Sequence, residues 1–507
     1  MSVKKYNGNY CMQTVRVALV SFLVNSINIR TLASYIKADS YETYCFFCPD
    51  SFNESNLAEL IRILKEKEIG LIGISLVTDD YQSAVELTSA IKKEINIPVI
   101  WGGAHVNVMP EECLLHADMI CRGEGEEALL DLVKVLSTQE KIIPDIKNIW
   151  FKTENGIVKN ELRSLEENLD KYPFPDFDLS SQYVMNAKGF EQLREEHLNG
   201  EYSLMSSRGC PYSCNYCYNS YRRKHYHGKG KYLRKRSIEN VIQELIQAKQ
   251  IFKNLSQVNF WDDSFVARKV DEFNLFSDLY AKKIKLPFFA LIEPMAFDYE
   301  KIKLLKKCGL SKLQVGIQSG SERVNRDVYN RPVSNKKIVE VAHLIKQLGV
   351  AAVYDFIFNN PYEKSEDIKQ TIELLLKFPR PLYLQGYNLI FYPGTIITEK
   401  ALADGFITDN SADIFSSIQN PVNSPTAMKT GAVVSNRFYS VNYDSKEKDY
   451  LNLVFSLLCF NYIPHWLIGF FIRSESRFHE LLIKTIIKSY EKLSQLKRAK
   501  LFVEKCA

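Results

Sequence analysis

The 507-residue chain carries no strong charge of either sign, since 65 Lys and Arg against 60 Asp and Glu leave only +5 at pH 7. Such a balance predicts no nucleic-acid partner. The chain also lacks a charged, apolar and cleavable N-terminal stretch, and its 11 cysteines follow no overall regular spacing. Both absences argue against secretion and a disulfide framework, and point to the reducing cytoplasm. No uninterrupted apolar run is long enough to span a bilayer. The longest, Leu453 to Ile472, contains Asn461, Pro464 and His465, and reads as two buried helical pieces broken at the proline, with shallow peripheral membrane contact as the alternative. No internal repeat appears beyond an alternation of strand and helix patterns. What is present is an ordinary globular composition, 46% hydrophobic and 25% charged, on a length that calls for two or three cores.

From Val15 onward, apolar runs of strand length ("VRVALVSFL", "ETYCFFC", "IGLIGISLV", "IPVIWGG") alternate with amphipathic stretches of helix length, as far as "ADMICRGEGEEALLDLVKVL". This rhythm predicts a parallel sheet with helices on both faces over residues 1–150 and ligand-binding loops at its strand ends. A turn-rich stretch, Asn160 to Ser181, reads as part of a linker over 151–195. A second alternation over 196–400 has six strands, near Leu204 and at "QVNFWDD", "FFALIEP", "KLQVGIQSGS", "AVYDFIFNNP" and "LQGYNLIFYPGT". Six is too few for a closed eight-stranded barrel, and polar residues gather at the strand ends, so an open partial barrel is expected. Residues 401–507 turn irregular and then helical, ending in the basic amphipathic "LLIKTIIKSYEKLSQLKRAKLF".

Cys210, Cys214 and Cys217 stand as C-x3-C-x2-C, directly after the first strand of the second alternation. Three thiolates from one short loop can hold three corners of a cubane iron-sulfur cluster and leave the fourth iron open. The alternative is a zinc knuckle closed by His225 or His227. Downstream, the basic and aromatic run Tyr221 to Arg236 reads as a solvated loop or as a surface for an anionic group.

The cysteine loop, with Tyr216 in the aromatic position, resembles that of the radical S-adenosylmethionine (SAM) enzymes. The resemblance extends in order along the barrel. "NFWDDSF" is similar to the family's acidic turn and implies that Asp262 and Asp263 hold the methionyl amine of SAM. "VGIQSGSERV" implies that Gln318, Ser319 and Gly320 approach the ribose and carboxylate. "YDFIFNNPYEKSEDI" resembles the adenine-contacting strand, with Asp355, Asn359 and Tyr362 where the family has glycines, and "YPGT" (Tyr392 to Thr395) the end of the sixth strand. In the family, a 4Fe-4S cluster passes one electron to SAM, and the resulting 5'-deoxyadenosyl radical abstracts hydrogen from C-H bonds too weakly acidic for a side-chain base.

The first 150 residues, through "GISLVT", "VIWGGAHVNVMPEE" and "CRGEGEEALL", resemble the cobalamin-binding half of the cobalamin-dependent radical SAM enzymes. The resemblance implies a Rossmann-like domain in which Ser75, Gly102 and Gly103 line the slot for the cofactor's nucleotide tail, where backbone must approach closely. The usual D-x-H-x-x-G is absent, so cobalt is expected without a histidine ligand, and His105 is read as packed in a loop. In the "GEGE" turn, Gly123 to Glu126, early carboxylates complement the dipole of the following helix. Cys45 and Cys48 are read as buried strand residues rather than ligands of a second cluster.

The expected architecture is therefore α/β: a Rossmann-like cobalamin-binding domain, a partial (β/α)6 TIM-type barrel and a mainly helical C-terminal region. The implied activity is methylation of an unactivated carbon or phosphorus centre of a small molecule, in which one SAM methylates reduced cobalamin and a second forms the radical. A flavodoxin or ferredoxin is the implied electron donor. A radical cyclisation or rearrangement without net methyl transfer is the alternative, and a zinc-stapled ligand-binding module the remote one.

Overall fold

The computed structural model describes residues 15–138 and 145–407, and, of the C-terminal region, 450–451, 454–455, 457–458, 463–473, 476 and 478–486. It divides into two compact units. One comprises the chain up to Tyr212, Cys217–Phe288 and Tyr392–Glu399; the other comprises Ser213–Tyr216, Phe289–Phe391 and the chain from Lys400.

The first unit is built on a nine-stranded sheet. β1 (Arg16–Ser21), β2 (Thr43–Phe47), β3 (Ile69–Ser75), β4 (Val99–Gly102) and β5 (Met119–Cys121) are parallel. Their near-continuous apolar character follows from burial on both faces: Val17, Ala18, Leu19 and Val20 are all at most 1% exposed. Amphipathic helices cover them. In Glu54–Glu66, for example, Leu60, Ile61 and Leu64 face inward, and a reciprocal pair of bonds between Asn53 and Asn56, each 2.9 Å, closes the N-terminus.

The sheet is extended by β6 (Ile149–Thr153), β7 (Gly156–Lys159), β8 (Gln182–Asn186) and β9 (Gly189–Gln192), in the order β7-β6-β5-β4-β3-β1-β2-β8-β9. Residues 151–195, expected as a linker, thus contribute strands at both edges. Their runs are short and separated by turn residues, so sequence periodicity is weak. Aromatic packing holds them instead: Phe46 stacks on Tyr183 at 5.1 Å and meets Phe190 edge-on at 6.0 Å.

The barrel strands are β10 (Glu201–Leu204), β13 (Gln257–Phe260), β14 (Phe288–Ile292), β15 (Leu310–Gln318), β16 (Ala351–Phe358) and β17 (Leu384–Asn388), and they form the expected six-stranded sheet in that order. The pairs β10/β13, β15/β16 and β16/β17 are parallel. A short antiparallel ribbon, β11 (Ser207–Arg208) with β12 (Arg234–Lys235), flanks the cysteine loop in sequence. Leu313, Val315 and Ile317 of β15 are buried, whereas Gln314, Gly316 and Gln318 alternate with them on the opposite face.

In the C-terminal region a helix, His465–Arg473, begins directly after Pro464, and the Tyr450 hydroxyl donates to the Phe471 carbonyl at 2.9 Å. Among the described residues no helix is long and apolar enough to cross a membrane. The basic tail lies outside the described residues beyond 486.

Candidate functional site

The spatial order 2-1-3-4-5 of the first five strands places a topological switch point between β1 and β3, where open α/β sheets bind ligands. A cavity of about 320 Å³ lies there, with Leu19, Gly73, Ser75, Gly102 and Gly103 in its wall. The two glycines of the turn differ in kind. Gly103 has φ +107°, and a Cβ on it would press into the Leu76 backbone, 2.9 Å from the nitrogen and nearer the carbonyl oxygen. The fold itself therefore demands glycine. A Cβ on Gly102 would meet Cys121 at 3.9 Å, an ordinary contact, so nothing in the chain requires glycine there and the space beside it belongs to the cavity.

Among the described residues no histidine lines this cavity. His105 is fully buried, its Nδ1 3.2 Å from Thr78 Oγ1 and its ring 4.9 Å from Tyr81. Burial lowers its pKa to about 4. It is a neutral packed ring, as expected. Cys45 and Cys48 are likewise buried in or beside β2, and burial raises the Cys45 thiol to about 12, which makes it unreactive.

Asn107, Glu124, Arg208, Tyr218 and Arg222 also line the cavity. Asn107 Nδ2 donates to the Gly103 carbonyl at 2.9 Å and to the Tyr218 hydroxyl at 2.8 Å, and its Oδ1 accepts from the Gly123 amide at 2.6 Å. Glu124 sits among three guanidiniums: Arg208 at 3.0 Å, Arg234 at 2.5 Å and Arg222 at 3.4 Å. Burial pushes its carboxyl up, but the arginines, Arg208 foremost, outweigh burial and hold it at about 2. The GEGE turn does precede a helix, Glu126–Ser137, but Glu124 lies outside that helix and acts as the centre of an ion cluster. The basic run Tyr221–Arg236 is correspondingly not wholly a solvated loop, because Arg234 is only 2% exposed.

The three cysteines have distinct surroundings. Cys210 is buried, and its carbonyl accepts from Arg223 Nη2. Cys217 is half-buried and precedes the helix Tyr218–His225, whose Ser220 hydroxyl donates to the Cys217 carbonyl at 2.7 Å. Cys214 is buried with Arg331 Nη1 3.5 Å from its Sγ. Among the described residues no three His, Cys, Asp or Glu side chains gather as for a single metal ion. A cluster is wider than an ion and takes its thiolates from different irons, so the donor set remains suited to it. His225 is turned elsewhere, stacked on Tyr221 at 5.4 Å and 3.3 Å from an Arg122 nitrogen, and burial lowers it to about 4. His227 is exposed. Neither completes a Cys3His site among the described residues.

The acidic turn separates into two roles. Asp262 is 1% exposed and accepts from the Ser206 amide at 3.1 Å, the Ser206 hydroxyl at 2.8 Å and the Ser207 hydroxyl. Asp263 is half-buried. At the end of β15, Gln318 has φ +71°, an unusual conformation for a residue with a side chain. Ser319 donates to Glu363 at 3.2 Å. The Gly320 amide donates to Thr371 Oγ1 at 2.8 Å, and a Cβ on Gly320 would strike the Thr371 backbone. Ser319 and Gly320 thus have structural duties of their own. Tyr216 packs edge-on against Tyr329 at 5.1 Å.

On the same face of the second unit, Gln314 Nε2 donates to Asp355 Oδ2 at 2.6 Å and to the Tyr387 hydroxyl at 3.3 Å. Asp355 Oδ1 is buried without a hydrogen bond, and burial raises this carboxyl to about 7.

Sequence reasoning missed Asn107, Arg208, Tyr218 and Arg331, and took Glu124, in the GEGE turn, only for a carboxylate complementing a helix dipole. Asn107, Arg208 and Tyr218 carry no spacing signal, because they meet only when separate strands and helices come together. Arg331 was legible only as one more charge after "SGSERV".

Comparison with known proteins agrees with both halves. Residues 13–133 match the B12 binding domain, and residues 204–375 the radical SAM superfamily. The chain is 27% identical over 355 residues to an uncharacterized methyltransferase of Pyrococcus horikoshii, covering 69% of this chain and 73% of that one. It is 23% identical over 362 residues to the anaerobic magnesium-protoporphyrin IX monomethyl ester cyclase of Rubrivivax gelatinosus, covering 68% and 60%. The chain therefore spans only part of the length of the relatives it matches. Its fold is similar to that of the radical SAM methyltransferase TsrM of Kitasatospora setae, solved with cobalamin and a 4Fe-4S cluster bound, with a TM-score of 0.61 at 15% identity and coverage of 78% and 76%.

Proposed function

For this chain, a radical SAM enzyme with an N-terminal B12 binding domain, we propose the activity of a cobalamin-dependent methyltransferase, acting on an unactivated carbon or phosphorus centre of a small molecule. One observation carries the reading. The cavity at the ends of β1, β3 and β4 is lined by Tyr218 and Arg222, on the helix that starts immediately after the third cysteine. A methyl source held in that cavity would stand beside the loop that generates the radical.

When bound, the cluster and SAM supply a 5'-deoxyadenosyl radical, and cobalamin supplies a transferable methyl group. The chain's own residues divide the remaining work. Cys210, Cys214 and Cys217 would hold the cluster. Ser75, Gly102 and Gly103 would admit the nucleotide tail of cobalamin, Gly102 by leaving open space and Gly103 by shaping the turn. Asn107 and Glu124 fix the cavity lining by holding Tyr218 and the arginines in place. Asp263 is the better placed of the acidic pair to receive the SAM amine, since Asp262 is engaged by Ser206 and Ser207. Gln318, Ser319 and Gly320 would meet the ribose and carboxylate, with Tyr216 beside the cluster. A small low-potential protein, a flavodoxin or ferredoxin, would supply electrons, and the cytoplasm is the compartment that suits them.

The test is elemental analysis of cobalt, iron and zinc on protein purified without oxygen from cells supplied with cobalamin. Near-stoichiometric cobalt beside about four irons per chain is the expected result; iron without cobalt removes cobalamin from the reading. Methyl-labelled SAM then separates methyl transfer from the second reading, a radical cyclisation or rearrangement, to which the likeness to a cyclase lends weight. Label retained in the product is expected.

A further inference from the structure

Arg331 is 3% exposed, and the groups whose negative charge favours its cation are Tyr216 first, then Cys214, then Glu293. Its Nη2 donates to the Gly316 carbonyl at 2.6 Å, which anchors the guanidinium. Its Nη1 points to Cys214 Sγ at 3.5 Å and to the Tyr216 hydroxyl at 3.4 Å, and its Nε makes no hydrogen bond. A guanidinium stays ionised in proteins, so a buried one keeps its charge beside whatever it touches. Of the groups acting on Arg331, Cys214 Sγ is the one its Nη1 reaches that would also carry cluster charge.

We propose that Arg331 is a positioning residue that raises the reduction potential of the cluster held by Cys210, Cys214 and Cys217. The inference rests on the radical SAM reading and goes beyond it. Reduction moves one electron from an external low-potential donor, which is oxidised, onto the cluster, and adds negative charge shared with the cysteine sulfurs. Cluster potentials are set by net charge, hydrogen bonds to sulfur and exposure. A buried cation donating to one sulfur acts through the first two, and the low dielectric around it strengthens both. The reduced form gains more than the oxidised form, so the potential rises.

The experiment is a dye-mediated redox titration of the reconstituted full-length protein, followed by electron paramagnetic resonance, for wild type, R331M and R331K. Iron and sulfide content are measured on each sample. The equilibrium constant for reduction of R331M should fall about tenfold, a 59 mV drop for one electron, at unchanged iron content. R331K keeps a charge, but its ammonium cannot serve Gly316 and Cys214 together, so its potential should fall between the other two. Equal potentials in wild type and R331M overturn the proposal. If R331M does not retain iron, R331K decides alone, and a potential equal to wild type overturns it. A wild-type protein that takes up no cluster would instead refute the proposed function, a different and separately visible failure.

Discussion

The cavity wall of the first unit and the β15–β16 face of the second treat buried charge in opposite ways. In the first, Glu124 is met by three arginines and Arg208 is shared with Glu126, so these carboxylates are matched by guanidiniums. The cavity itself is made by omission, through glycines at strand ends. In the second, Arg331 Nη1 points to the Cys214 sulfur and the Tyr216 hydroxyl, and among the described residues Asp355 Oδ1 makes no hydrogen bond. The difference teaches that a cavity can be shaped by backbone and space, with its charges matched inside the chain, whereas a face lined by polar residues can leave charge to be answered by what binds.

The sharpest way to break this comparison is to remove a proposed cluster ligand. C214A should lose the cluster and all 5'-deoxyadenosine formation under reduction, measured by iron content and chromatography, while the cobalt content stays near the wild-type level because the cavity belongs to the other unit. A C214A protein still active without iron would end the radical reading.

A second test attacks the matched carboxylate. E124Q leaves three guanidiniums facing an uncharged amide and should cost about 3–5 kcal/mol, read from the denaturant midpoint. The sign of the pH effect follows from the depressed carboxyl. Its contribution is fully present above about pH 4.5 and is lost as pH falls toward about 2. Wild type should lose stability across that window more steeply than E124Q.

The glycine pair offers a finer comparison. G103A forces a side chain into φ +107° against the Leu76 backbone and should lose about 1–3 kcal/mol. G102A should stay within about 0.5 kcal/mol of wild type while weakening cobalamin retention, measured as cobalt per chain after gel filtration. Unchanged cobalt in G102A would move the cofactor away from that turn.

The last expected effect concerns Asp355. Burial raises its carboxyl from an ordinary 3.8 to about 7, so the folded chain holds that proton more tightly than the unfolded chain. Its contribution is complete below about pH 4 and is lost as pH rises through 7. D355N should flatten the decline in thermal midpoint between pH 5 and 8; parallel profiles would show that Gln314 and Lys312 keep the group ionised.

Much of this molecule was readable in its sequence. The C-x3-C-x2-C loop is local, and strand-helix alternation follows from period 2 and period 3.6 side-chain patterns, so both survive without tertiary information. The Gly-Gly turn was legible as a pair, but not the division of labour within it, because that depends on Leu76 and Cys121 from neighbouring strands. The segment expected as a linker became strands at both sheet edges, since short edge strands take their identity from the partners they pair with. Asp262 and Asp263 are adjacent in sequence and equivalent there; only folding brings Ser206 and Ser207 onto one of them. Arg331 lies 117 residues from Cys214, and no spacing rule connects them. By itself the sequence determined most of the elements and the cysteine loop, which are set by neighbours along the chain. Tertiary structure alone decided which charges are answered and which are left open, because electrostatic partners are chosen by distance in space and by burial.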